Sequence, residues 1–126
     1  MTENGTTREV EFWARTDLQD EMPGQRGRWL IGPGEGRWDE VLLSEWELTN
    51  VGWSDLHPHW ELNYVLEGEL HVECGGDTVV ARAGDAVRVP AGVNGRYSAP
   101  EYARMLVILG PNPGGEDSDL HGQFEV

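Results

Sequence analysis

Two histidines and a glutamate alternate along the segment His57-Pro-His59-Trp-Glu61. In an extended strand every second side chain points to the same face, so these three side chains would share a face. Two imidazoles and a carboxylate form a sensible ligand set for iron, manganese, nickel or zinc. Residues four apart in a straight strand are separated by about 13 Å, so a common ion requires a bend, which Pro58 or a β-bulge could supply. The alternative interpretation is three polar side chains that line a pocket or face water.

Two polar residues near this segment are candidates for binding a substrate. Asn63 continues the face of Glu61 and would orient a ligand there, or else it is an edge or exposed asparagine. Arg88 interrupts an otherwise apolar strand. Its partner would be either an acidic substrate or a carboxylate of the protein, the latter being the more common arrangement.

His71 is a further candidate ligand, and its face depends on the predicted turn at Glu67-Gly68. A two-residue turn pairs His71 with Tyr64, away from the trio, whereas a three-residue turn pairs it with Val65, on the trio's side. The sequence leaves both pairings open.

Short alternating segments separated by glycine-rich turns predict an all-β sandwich or barrel. Gly52 is expected to end one strand, and Glu67-Gly68 is expected to form a hairpin turn. Residues 1–27 would form an N-terminal arm or edge strand, residues 28–110 the barrel and residues 111–126 a frayed polar tail.

The composition excludes several classes of function. Nine arginines and no lysine stand against 23 acidic residues, and the resulting net charge of −14 disfavours binding to nucleic acid or to an anionic membrane surface. Without lysine, Schiff-base catalysis is excluded. The sequence shows neither a signal peptide nor a long apolar span, and its single cysteine, Cys74, rules out an internal disulfide, so the cytoplasm is the expected compartment.

Residues 40 to 110 resemble the cupin superfamily. The first cupin motif is similar to Gly52, a spacer, His57-Pro-His59, Glu61 and, after six intervening residues, Gly68. The second is similar to the run from Gly84 through Pro90-Ala-Gly92 to Gly95. This resemblance implies a double-stranded β-helix, or jelly-roll, barrel with a metal site in its mouth.

Two departures from the family pattern affect the implied ligand set. The spacer between His59 and Glu61 is shortened, and Gly95 stands where the second motif has its histidine, with Ala99 at its asparagine position. The implied centre therefore reduces to His57, His59 and Glu61, a 2-His-1-carboxylate arrangement with open positions. The histidine-free second motif also resembles the ethanolamine-utilisation cupins, some of which lack the usual ligands.

The resemblance implies a metal-dependent enzyme of the dioxygenase, isomerase or cyclase type that acts on a small oxygen-bearing substrate. Asn63 and Arg88 would position this substrate, and Trp60 and Tyr97 would form walls around it. The alternative is a degenerate, non-catalytic cupin that binds or senses a small molecule. Because a small barrel with six tryptophans often exposes an apolar face, we also expect a homodimer.

Overall fold

The chain folds into β-strands joined by turns and short loops. The computed structural model describes residues 9–34 and 38–126, and these two ranges contain no helix, which confirms the all-β prediction. In the same ranges there is accordingly no helix that could cross a membrane. The eight strands are β1 (Gln19–Met22), β2 (Gln25–Ile31), β3 (Leu42–Leu56), β4 (Glu61–Cys74), β5 (Asp77–Arg82), β6 (Ala86–Val89), β7 (Asn94–Leu109) and β8 (Asp119–Phe124).

Strand β7 is central to the sheet. It pairs antiparallel with β3 along one edge and with β4 along the other. Strands β2 and β8 pair with β3, β1 pairs with β2, and both β5 and β6 pair with β4. Every second side chain of β7 points inward, because side chains alternate along a strand. The buried β7 side chains include Tyr97, Ala99, Ala103, Met105 and Val107, which form the middle of the core.

Strand β4 runs without a turn through Glu67-Gly68, so the predicted hairpin there is wrong. Gly68 has a φ of +79° and pairs with Ala103, and the register of β4 against β7 shifts on both sides of it. A Cβ atom at Gly68 would lie 2.0 Å from the carbonyl oxygen of Tyr102. The glycine therefore forms a bulge that brings β4 close to β7.

Strand β3 likewise continues through Gly52, which was predicted to end it. Gly52 pairs with Ser98 of β7 and with Phe124 of β8. A Cβ atom at Gly52 would lie 2.3 Å from the Phe124 ring, so the missing side chain makes room for β8 rather than for a turn.

Two glycine-containing turns join neighbouring strands, in line with the glycine-rich turns that the sequence predicts. The pair Gly75-Gly76 connects β4 to β5, and both glycines have positive φ. The segment Ala83–Asp85 connects β5 to β6, and the Asp85 side chain accepts a hydrogen bond of 2.8 Å from the backbone N–H of Arg82.

Both ends of the chain contribute a strand to the sheet. In the arm assigned to residues 1–27, β1 and the start of β2 form an antiparallel pair, while residues 11–18 contain no strand and residues 1–8 lie outside the described ranges. The predicted loop at residues 32–36 also lies partly outside those ranges. The polar segment 111–126 was expected to fray, but its residues Asp119–Phe124 form β8 and pair with β3.

Candidate functional site

A four-residue loop joins β3 to β4 and reverses the chain at His57-Pro58-His59. The reversal supplies the bend that the alternating motif requires. It brings the Nε2 atom of His57 within 2.7 Å of the Oε1 atom of Glu61. The predicted trio thus lies on a loop and the first residue of a strand, rather than on one straight strand.

Asp55 joins this pair and was missed by the sequence analysis. Its Oδ2 atom lies 3.3 Å from the Nε2 atom of His57 and accepts a hydrogen bond of 3.1 Å from the indole of Trp53. The other oxygen, Oδ1, is buried and has no hydrogen-bond partner among the described residues. The signal that could have found Asp55 is its spacing, because it precedes His57 by two residues and so shares its face in an extended strand.

Glu61 is held in place by a chain of hydrogen bonds that begins in the core. The amide of Asn63 donates to Oε2 of Glu61 at 2.9 Å, and the indole of Trp46 donates to the amide oxygen of Asn63 at 2.8 Å. Asn63 is completely buried. Asn63 therefore positions the glutamate, whereas the sequence analysis expected it to contact a substrate.

His59 packs against the cluster without bonding to its carboxylates. Its ring stacks on that of His57 with centroids 4.4 Å apart, and the edge of Trp38 lies 5.2 Å from it. The Nδ1 atom of His59 lies 3.0 Å from the backbone carbonyl of Trp60, an arrangement that assigns the proton to Nδ1 and leaves a lone pair on Nε2.

Burial and charge act in opposite directions on the two histidines. Burial lowers the pKa of His57, but the hydrogen bond and charge of Glu61, with the charge of Asp55, outweigh burial and raise it overall. For His59 burial dominates and lowers its pKa. Burial is also the main reason that the pKa of Asp55 is raised. The cluster consequently favours one proton on His57, shared with the carboxylates on either side.

The donor atoms as they lie bond to one another and are not arranged around a metal ion. Within the described ranges no three histidine, cysteine, aspartate or glutamate side chains are arranged to hold one. The Nε2 atom of His57, which would coordinate the ion, instead contacts both Glu61 and Asp55. The ligand set His57, His59 and Glu61 therefore stays a prediction.

The cluster borders a cavity of about 270 Å³. Asp55, His57 and Glu61 line it, and β1, β2, β3 and β7 contribute its other lining residues. The tryptophans that line it are Trp29, Trp46 and Trp53. A small cavity with aromatic walls and a few converging polar groups is the usual form of a small-molecule site.

The C-terminal segment borders the same cluster. The hydroxyl of Ser118 is hydrogen-bonded to Nδ1 of His57, and the ring of His121 stacks on Trp53 with centroids 6.2 Å apart. Two polar residues of the predicted tail thus contact residues that line the cavity, a role that the sequence analysis did not foresee.

The two aromatic candidates do not line the cavity. Trp60 packs against Gly110, where a Cβ atom would meet its indole nitrogen at 2.5 Å. Tyr97 is buried in the core with its ring edge-on to Trp46, and burial, with the charge of Glu61 and a hydrogen bond to it, raises its pKa. Neither residue is among those that line the cavity.

Arg88 and His71 also lie outside the cavity lining. Arg88 is exposed on β6, opposite Leu62 of β4. His71 bonds to Glu69 at 2.9 Å, and Glu69 also pairs with Arg82, so this histidine belongs to a surface ion pair. Because β4 makes no hairpin, neither of the two predicted turn pairings of His71 occurs; it pairs with Val80 and Ser98.

An antiparallel jelly-roll sheet with an ionisable cluster beside a small cavity is the architecture of the cupin class. The family model for the cupin domain matches residues 46–109 of this chain, which include β4 to β7 and the whole cluster. The chain belongs to the cupin family.

Comparison with individual proteins confirms the jelly-roll fold and the similarity to ethanolamine-utilisation cupins. The chain is 39% identical over 64 residues to the acetate kinase EutQ of Salmonella typhimurium, a match that covers 47% of this chain and 28% of that protein. It thus spans less than a third of this curated relative. A solved structure of a putative ethanolamine utilization protein Q from Salmonella typhimurium has a TM-score of 0.63 and 26% identity, covering 74% of this chain and 78% of that one. KdgF from Halomonas sp. has a TM-score of 0.68 and 22% identity, covering 81% and 95% of the two chains.

Proposed function

We propose that this cupin binds a small oxygen-bearing molecule in the cavity and moves a proton on it, as in an isomerase-type reaction. The observation that carries the proposal is the position of His57 between Glu61 and Asp55, at 2.7 and 3.3 Å, at the edge of a cavity of about 270 Å³. Imidazole and carboxylate groups that share a proton are the usual general acids and bases of enzymes.

The cluster can both donate and accept a proton. The imidazole of His57 carries the shared proton and can give it to a substrate oxygen, while a carboxylate can remove a proton from the neighbouring carbon. The carboxylate then returns its proton to the other carbon of the resulting enediol while His57 takes the proton of the second hydroxyl, which completes an isomerisation without gain or loss of electrons. Asn63 and Trp53 hold the two carboxylates in position through the hydrogen bonds described above.

Exchange of carbon-bound hydrogen in D₂O tests this proposal. The protein is incubated with a panel of small hydroxy, keto and amino compounds, and loss of C–H signals is followed by ¹H NMR. We expect exchange with at least one compound, and a decrease of at least about a hundredfold in His57→Gln and Glu61→Gln, because general acid–base groups contribute about 10²–10⁴-fold. Arg88→Gln is the control, since Arg88 is exposed on β6 and lies outside the cavity lining.

Two results would contradict the enzymatic proposal. Binding of a compound without any exchange would leave the second sequence-based interpretation, a non-catalytic cupin that binds or senses a small molecule. Equal exchange in wild type and in both variants would show that the cluster does not carry the chemistry.

A second candidate, the metal-dependent cupin predicted from the sequence, is favoured by a separate observation. Each of the four clustered donor side chains is held by a partner outside the cluster, as metal ligands commonly are. The four pairs of donor and partner are Asp55–Trp53, His57–Ser118, His59–Trp60 and Glu61–Asn63. In this candidate His57, His59 and Glu61 would hold divalent iron, zinc, nickel or manganese, which would supply Lewis acidity.

Elemental analysis of the purified protein separates the two candidates. A near-stoichiometric metal that is lost in His59→Ala and kept in His71→Ala would establish the metal-dependent cupin, because His71 lies in the surface pair with Glu69. Absence of metal after incubation with each candidate ion would exclude it and leave the proton-transfer proposal.

A further inference from the structure

The ionisable groups that line the cavity are predominantly acidic. Three lining carboxylates belong to Glu21, Asp55 and Glu61. His57 is the one histidine among the lining residues. Arg28 also borders the cavity, but its guanidinium bonds to Glu45 at 2.7 Å, so that pair neutralises itself. The electrostatic potential inside the cavity is therefore expected to be negative, which favours a positively charged occupant.

The buried oxygen of Asp55 lacks a donor. The side chain of Asp55 is 8% exposed, and its Oδ1 atom is buried without a hydrogen-bond partner among the described residues. A buried acceptor without a donor is unfavourable, so a ligand whose N–H group reached this oxygen after a small rotation of the carboxylate would gain binding energy. An ammonium group provides both the donor and the opposite charge.

The aromatic walls are suited to the same kind of ligand. The indole N–H groups of Trp46 and Trp53 are already bonded to Asn63 and Asp55, so these two side chains offer a ligand their ring surfaces and not a donor. Trp29, 48% exposed, adds a third ring to the lining. Ring surfaces attract cations and give no comparable attraction for anions.

We propose that the cavity is specific for a small organic ammonium compound, whose N–H groups bond to Asp55 beside Glu61 while its charge lies against the ring surfaces of Trp29, Trp46 and Trp53. This inference names the ligand class of the proposed function and uses the same site. The net charge of −14 acts in the same direction, because it attracts cations to the molecule as a whole.

Three compounds of equal length test the charge preference on the wild-type protein. Calorimetric titration is performed with 4-amino-1-butanol, 1,4-butanediol and 4-hydroxybutyrate, which differ at one end in being cationic, neutral or anionic. We expect the amine to bind at least tenfold more tightly than the diol and the hydroxybutyrate to bind most weakly. Equal or tighter binding of the diol or of hydroxybutyrate, or no binding of the amine, would overturn the inference.

Substitutions then locate the preference within the molecule. Asp55→Asn is expected to remove most of the advantage of the amine over the diol. Asp77→Asn is the matched control, because it removes the same charge from an exposed position at the start of β5 and should keep that advantage. If Asp55→Asn fails to fold, Trp29→Leu is used instead. We expect Trp29→Leu to weaken binding of the amine more than binding of the diol. An equal loss of affinity for both compounds would count against the aromatic contact.

Failure of this inference is distinguishable from failure of the proposed function. The D₂O panel contains neutral and keto compounds, so exchange with one of these and no amine preference would reject only the ligand class. Amine binding without exchange would retain the ligand class and reject the reaction.

Discussion

At the scale of single residues, Asn63 connects the core to the functional cluster. It is completely buried, receives a hydrogen bond from Trp46 and donates one to Glu61, which in turn contacts His57. A side chain of this kind fixes the direction of the glutamate without contacting the ligand. The effect of changing it should therefore appear in stability as well as in binding.

We expect Asn63→Leu to lower the free energy of unfolding by about 2–4 kcal/mol, because it leaves both the Trp46 indole and a Glu61 oxygen without a partner. Urea denaturation measures the change. Arg88→Leu is the control and should stay within about 0.5 kcal/mol, since Arg88 is exposed. A loss of less than 1 kcal/mol for Asn63→Leu would mean that the hydrogen-bond chain contributes little.

The sequence predicted His57, His59 and Glu61 of the cluster and missed Asp55. The three were found because histidine and glutamate at alternate positions are recognisable metal or acid–base groups. Asp55 shares that alternation, but in a chain with 23 acidic residues a single aspartate carries no signal until its burial is known. Arg88 was chosen for its charge, and only the pairing of β6 with β4 shows that it is exposed.

At the scale of elements, Gly68 distinguishes backbone strain from steric overlap. It has a positive φ like Gly76, but a Cβ atom at Gly68 would strike the Tyr102 carbonyl, whereas a Cβ atom at Gly76 meets nothing within 4 Å. We expect Gly76→Ala to cost about 1–2 kcal/mol through its φ alone. Gly68→Ala should cost at least about 2 kcal/mol more, through the added overlap. Equal melting curves for the two variants would show that β4 and β7 can separate at the bulge.

The Glu67-Gly68 pair also shows why the sequence mispredicted this element. A glycine between two alternating segments is typical both of a hairpin turn and of a bulge in a long strand. The bulge forms here because β7 pairs with β4 on both sides of Gly68. Since β7 lies far along the chain from Gly68, the local sequence cannot distinguish a bulge from a turn.

On β3 two glutamates make the fold sensitive to acid. Burial alone would raise the pKa of Glu45 and Glu47, but hydrogen bonds from Arg28 and Arg104 to Glu45, and from Arg26 and Tyr102 to Glu47, outweigh it and lower both. A carboxyl group whose pKa is lowered by folding stabilises the native state at pH values above its unfolded pKa of about 4.3. This stabilisation is lost as the pH falls through the pKa of the folded state.

We therefore expect the melting temperature to fall as the pH is lowered from 5 to 3. The fall should be shallower in the double variant Glu45→Gln, Glu47→Gln, which has no carboxyl group to protonate at these two positions. Glu101→Gln, at an exposed position, is the control and should follow the wild type. A slope unchanged in the double variant would assign the acid sensitivity to other carboxyl groups.

At the scale of the whole molecule, exposed apolar side chains support the expected homodimer. Val10 is 70% exposed and Trp13 is 37% exposed, and both lie in the N-terminal segment that precedes β1. We expect light scattering at tens of micromolar to give about twice the chain mass of 14.1 kDa. Trp13→Glu should shift the mass toward the monomer, whereas Val126→Glu should not. A monomeric wild type would remove the prediction.

The pairing of β3 with β7 joins segments about 40 to 70 residues apart in the chain. Closing a loop of this length lowers the entropy of the chain before the stabilising contacts between the two strands form. Folding is therefore expected to take milliseconds to seconds. Asp55, His57 and Glu61 are neighbours in sequence, but Val107 and Leu109, which also line the cavity, belong to β7. The cavity consequently exists in the native state alone. At concentrations above its dissociation constant, any compound that occupies the cavity should therefore raise the melting temperature in proportion to the logarithm of its concentration.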